Sequence, residues 1–195
     1  ARPHQTRDPV PAAAQLILAL QTIVSRNVNP ADPAVISVCS IQAGDPGAPS
    51  VIPERVRITG TVRTLSPAVR DLIEARIRET AESAAALAGA EAHVVYDRRY
   101  PPQINDAALA EAVLPVIRRT AESMNGELDD GFPASMGGED FAFMSEVVPG
   151  LYIRIGNDDA DHNTGVHNPK FDFNDRALAV WTAVFADIVR ARLPI

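Results

Sequence analysis

The chain has 195 residues, 46% of them apolar, with 25 acidic against 18 basic side chains and a formal net charge of −7. At about 150 residues per domain this makes one large or two small domains, with enough apolar material for a core, which excludes a disordered chain. The acidic balance without a basic run excludes binding nucleic acid by neutralising phosphates, no stretch reaches the roughly 18–20 apolar residues of a membrane span, and a lone Cys39 excludes an intrachain disulfide and a cysteine-based zinc cluster.

Asp8-Pro9 marks a helix start, with the carboxylate as N-cap and proline at the first helical position. Leu16, Leu20, Ile23 and Val24 carry that helix to about Arg26. Val35, Ser37, Cys39 and Ile41 alternate on one face of a strand, and Cys39 is expected to be buried. A Gly- and Pro-rich loop leads to a second strand, Val56 to Thr64, with Val56, Ile58, Gly60 and Val62 on one side. Ser66-Pro67 opens a second helix through Val69, Leu72, Ile73 and Ile77, and Gly89 ends it. Ala92 to Arg98 reads as a third strand. One further strand, N-terminal to these elements, completes a split β-α-β-β-α-β unit. That strand would fall just before Ala1, and the start Ala1-Arg2-Pro3-His4 reads as the interior of a longer protein.

Pro101-Pro102 breaks the pattern and sets a domain boundary, giving residues 1–103 and 104–195. Asn105 or Asp106 caps the next helix, which Pro115 should kink or split. Met136-Gly137-Gly138-Glu139-Asp140 leads into a short helix. Leu151 to Ile155 reads as a short buried strand. A long polar loop follows, and Asn174 caps a last helix whose apolar face is Leu178, Trp181, Phe185, Ile188 and Val189.

Several residues carry possible chemistry. His162 and His167 lie in the polar loop, and neutral imidazole is the commonest nitrogen ligand for Zn²⁺. On spacing alone, two solvated loop histidines is the better reading. Gly137 and Gly138 permit close backbone approach and suit a carboxylate or oxyanion; a plain turn serves equally well. Arg63, at a strand end, could hold a carboxylate with both arms of its fork, although most such arginines are surface charges.

Taken in order, several strings resemble one family along essentially the whole chain. They are Ala-Arg-Pro-His-Gln at the start, Leu-Gln-Thr-Ile-Val-Ser-Arg at 20–26, Val-Ile-Pro at 51–53 and Gly-Thr-Val-Arg-Thr at 60–64. Met-Gly-Gly-Glu-Asp-Phe at 136–141 and His-Asn-Pro-Lys-Phe-Asp-Phe at 167–173 complete the set. The chain resembles the aminoacylase and carboxypeptidase group of dinuclear metallohydrolases, in its N-acyl-amino-acid amidohydrolase branch, which includes hippurate hydrolase.

The resemblance implies a mixed α/β and α+β fold. Residues 1–103 would be an incomplete ferredoxin-like lid or dimerisation domain, and residues 104–195 the C-terminal part of an α/β catalytic domain. By resemblance His167 is a metal ligand, Arg63 holds the substrate carboxylate, and Gly137 and Gly138 help to bind substrate through their backbone. The family's asparagine before Val-Ile-Pro is Ser50 here, a shorter polar contact, and His4 matches the second histidine of a lid string whose first falls before Ala1. A divalent metal such as Zn or Mn, a substrate that is an N-acyl amino acid or small peptide, and a homodimer through the lid are implied in the same way, while the lone cysteine fits a reducing cytoplasm. The other metal ligands and a glutamate general base belong to the family's front half, so this chain alone is expected to be inactive. The alternative is a ferredoxin-like dimerisation or ligand-binding module without catalysis.

Overall fold

The computed structural model describes residues 2–193. They form a one-turn 3₁₀ helix at Pro3–Gln5, then α1 (Pro9–Asn27), β1 (Ala34–Ala43), β2 (Val56–Thr64) and α2 (Pro67–Leu87). After a long irregular stretch come α3 (Ala107–Ser123), α4 (Phe141–Ser145) and α5 (Ala177–Arg192). Two compact units result. The first takes the described residues up to Pro102 together with Met136–Glu139, and the second takes Gln103–Ser135 and the described residues from Asp140 onward.

In the first unit the helix starts follow the sequence signals. Asp8 accepts from the Val10 amide at 2.9 Å, and the Ser66 hydroxyl accepts from Val69 at 3.5 Å. Each satisfies an amide that the first helical turn leaves without a partner. β1 and β2 pair antiparallel, from Ala34 opposite Thr64 to Ala43 opposite Val56. The register slips between Val38 and Ser40, so Cys39 is the extra residue of a bulge. Ile36 and Val38 face inward with Val62, against a core of Leu20, Ile23, Val28, Val69 and Ile73 from α1, α2 and the turn between α1 and β1. Burial of this apolar face, at roughly 25 cal/mol per Å², is what holds the two helices on the sheet. Cys39 is exposed, not buried as its strand neighbours suggested, because Ile36 and Val38 take the inward face and leave Cys39 on the other.

The expected strand at Ala92 to Arg98 is not formed. Its side chains keep the period of two, with Val94 and Tyr96 half-buried and Val95 exposed. A strand needs a neighbour to receive its amides, however, and here the space beside β2 is an open groove of about 1030 Å³. The groove runs between β2 and residues 89–100, floored by α1 and α2 side chains such as Ala12, Leu16 and Ile77.

Side chains of α2 hold the unpaired segment instead. Arg78 donates from Nη1 to the Val94 carbonyl at 2.9 Å and pairs with Glu74 at 2.7 Å, while Arg98 reaches Asp71 and Glu74, both at 2.6 Å. The Arg78 hydrogen bond, then that of Arg98, holds the Glu74 carboxyl below its ordinary range against a burial that pushes it up. A depressed carboxylate stabilises above its unfolded pKa, and the benefit disappears as pH falls through the folded value. Glu74→Gln should therefore cost about 1 kcal/mol at neutral pH, a modest figure because both arginines are about two-fifths exposed. Thermal melts should show the variant and the parent converging once the pH falls well below 4.5, the ordinary value for this carboxyl.

In the second unit Asp106 caps α3, accepting from the Leu109 amide at 2.7 Å. Pro115 sits inside α3 without splitting it; the ring removes one donor, but the helix runs on to Ser123. Val113, Ile117 and Val184 form the core, with Val180 and Ile188 of α5 packed on it. Leu151 to Ile155 is not a strand. The side chain of Asn105 plays the neighbour's part there, donating to the Tyr152 carbonyl at 3.1 Å and accepting from its amide at 2.8 Å.

The expected inner face of α5 is largely its outer one. Leu178, Phe185 and Val189 are each about half exposed, because α5 is apolar on two sides and Val180, Val184 and Ile188 take the α3 contact. Asn174 acts one turn before the helix: its Oδ1 accepts from the Arg176 amide at 3.1 Å, and α5 begins at Ala177. No described helix is long and apolar enough to cross a membrane.

Candidate functional site

Arg63 is the next-to-last residue of β2, opposite Val35, half-buried on the wall of the groove. Arg98, Arg99 and Arg55 around the same groove are paired with Asp71 and Glu74, Asp97, and Glu54 respectively. Arg63 has no carboxylate partner among the described residues. The segment Met136–Glu139 packs in this unit, and it brings Gly138 against Arg63. A Cβ built on Gly138 would stand 3.0 Å from Tyr100 Cδ2 and 3.5 Å from Arg63 Nη1. A side chain at 138 would crowd the Tyr100 ring, while Arg63 lies at ordinary contact distance. An uncommitted guanidinium beside main chain without a side chain is a place where a carboxylate can be gripped by the planar fork.

Tyr100 has no signal in the sequence beyond its place immediately before Pro101-Pro102, and sequence reasoning missed it. Ser50 does not join this group. It lies on the exposed loop between Ala43 and Val56, beyond the end of the hairpin opposite Arg63. Arg63 lies seven residue steps along β2 from Val56, about 23 Å at about 3.3 Å per step.

In the second unit His167 sits on the 157–174 loop, exposed, on left-handed backbone with φ of 66°. No described group hydrogen-bonds its ring, so its chemistry fits that of a single metal donor. No group of three or more His, Cys, Asp or Glu that could hold a metal occurs among the described residues, so a complete centre is not present in them.

His162, in the same loop, is engaged. Its Nδ1 lies 2.7 Å from Asp159 Oδ1, and because an ionised carboxylate only accepts, that nitrogen carries the proton. The His162 bond, with amide donation from Asp161 and His162, draws the Asp159 carboxyl down from 3.8 to about 2. Its contribution is complete above the ordinary carboxylate range and is lost as pH falls toward about 2.

These features define a mixed α/β protein with Arg63 beside Gly138 and Tyr100 in one unit and an exposed His167 in the other. The sequence of residues 8–191 matches the peptidase family M20/M25/M40, and the chain belongs to that family. It is 39% identical over 178 residues to an N-acetyl-L-cysteine deacetylase of Bacillus subtilis, covering 91% of this chain and 40% of that protein. It is 34% identical over 178 residues to an N-acetyldiaminopimelate deacetylase of Anoxybacillus flavithermus, covering 91% of this chain and 45% of that protein. The fold is similar to the YxeP protein of Bacillus subtilis, described as a dinuclear metal-binding peptidase of the M20 family. That match has a TM-score of 0.73 and 29% identity over 95% of this chain and 46% of the other. The chain thus spans less than half the length of these relatives.

Proposed function

We propose that the chain is part of a metal-dependent amidohydrolase that cleaves the amide bond of N-acyl amino acids. The observation that carries this is the unpaired Arg63 guanidinium set against Gly138 and Tyr100. In this reading Arg63 binds the amino acid carboxylate, while the Gly137 and Gly138 main chain lies close to the substrate. His167 supplies one ligand to a divalent metal, Zn or Mn, whose remaining donors and general base lie outside these residues. When bound, such a metal polarises the amide carbonyl and lowers the pKa of a coordinated water. The N-acetyl deacetylase relatives support the N-acyl substrate class.

Residues 1–103 form the lid and residues 104–195 the end of the catalytic domain. The groove beside β2 takes the lid's first strand, and the outer edge of β1 suits a homodimer joined through the lid. The half-exposed Leu178, Phe185 and Val189 of α5 are covered by the rest of the catalytic domain. Ser50, remote from Arg63 on the hairpin, serves a different substrate group or a partner subunit's substrate. A cytoplasmic setting suits an exposed, unpaired Cys39.

The test is release of amino acid from N-acetyl amino acids with added Zn²⁺ or Mn²⁺. This chain alone should give none, and a longer protein carrying the family's front half should turn over. Normal turnover by this chain alone, or none by the longer protein, contradicts the reading.

A further inference from the structure

One carboxylate, that of Asp159, makes contacts on both limbs of the loop at 157–174. Asp159 Oδ1 accepts from the Asp161 and His162 amides, both at 2.9 Å, and from His162 Nδ1 at 2.7 Å. Its Oδ2 accepts from Asn174 Nδ2 at 2.9 Å and lies 3.5 Å from an Arg176 guanidinium nitrogen. Asp159 therefore joins the outgoing limb of the loop to the returning one.

The base of the loop is closed beside it. The buried Asn174 donates its amide to Asn157 Oδ1 at 2.8 Å, and Asn157 Nδ2 donates to the Asp172 carbonyl at 3.1 Å. His162 is about four-fifths buried, with its far nitrogen 3.8 Å from Asp172. Between this node and a turn in which Asn168 accepts from Lys170 and Phe171 sits His167. Its left-handed backbone costs about 1 kcal/mol or more for a residue with a Cβ, and it persists only where the surroundings enforce it.

We propose that Asp159 and His162 are a positioning pair: their bond fixes the 157–174 loop and with it the stance of His167. The chemical purpose of that stance rests on the proposed role of His167 as a metal ligand; the conformational content does not.

The experiment is NMR on this chain carrying His162→Ala or His162→Asn. The Asn amide can donate to Asp159 as the imidazole does. The backbone amides of Lys170 and Phe171 bond to neither Asp159 nor His162, so their hydrogen exchange reports the loop at a distance. In His162→Ala their exchange should rise about tenfold. The His167 Cα and carbonyl shifts should leave left-handed values, while the amide of the buried Ile117 stays unchanged. His162→Asn should return both readouts toward the parent. If His162→Ala lowers protection throughout the unit, Asp159→Asn, which keeps the volume and removes the charge, carries the same comparison.

Unchanged loop exchange and unchanged His167 shifts overturn the proposal, and so does failure of His162→Asn to rescue. Metal content of the longer enzyme with His167→Ala decides the ligand role separately. Full metal occupancy there would remove the purpose of the stance and leave the loop result standing.

Discussion

Gly60→Ala is expected to destabilise the first unit by about 3 kcal/mol or more, the largest effect of any small substitution in the sheet. A Cβ at residue 60 would lie 2.3 Å from the Ser37 carbonyl oxygen and 3.2 Å from its carbon. Both are main-chain atoms of β1, where Val38 is the register partner of Gly60 and Cys39 forms the bulge. No side-chain rotation relieves that overlap. β1 cannot simply withdraw, because Ile36 and Val38 are packed on the α1–α2 core. Gly47→Ala is the control in the same unit. Its Cβ would meet only the Asp45 side chain, at 3.3 Å, and the change should stay within about 0.5 kcal/mol. Urea unfolding measures both, and equal stabilities for the two variants would show that the strands do not approach as described.

Arg63→Ala is expected to weaken binding of an N-acyl amino acid by about 10- to 100-fold, with the fold intact. A charge-assisted hydrogen bond contributes roughly 1.5–3 kcal/mol, which is this range of affinity. The fold should survive because Arg63 ends a strand and has no ion-pair partner among the described residues. Arg63→Lys should fall between the two, since an ammonium keeps the charge and loses the planar fork. Calorimetric titration with an N-acetyl amino acid provides the measurement. Equal affinity of parent and Arg63→Ala would remove Arg63 from the site.

The local chemistry of the chain is readable where the signal is itself local. Asp8, Ser66 and Asp106 cap the helices that their sequence contexts announce, because a cap depends only on residues within one turn. The stretch at Ala92 to Arg98 shows the opposite case. Its alternation is genuine, but a ladder is a property of two segments, and the groove beside β2 is open. Leu151 to Ile155 departs from expectation for the same reason, with Asn105 in place of a neighbouring strand. Cys39 and the faces of α5 differ for another reason. Alternation and helical spacing say which residues share a face but not which face meets the core when both are apolar.

For the site, Arg63 and Gly138 come from strings far apart in sequence and are adjacent in the first unit. Tyr100 escapes notice because an isolated tyrosine before a proline pair carries no pattern. The Asp159–His162 bond is equally silent, because a three-residue spacing in an irregular loop predicts no contact.

The most direct test of the account is a pair of NMR titrations of this chain, with N-acetyl-L-alanine and with its uncharged carboxamide. The amides of Arg63, Tyr100, Gly137 and Gly138 should shift with the carboxylate and remain still with the carboxamide. If both ligands move them alike, or neither does, there is no carboxylate clamp here and the amidohydrolase reading loses its structural support.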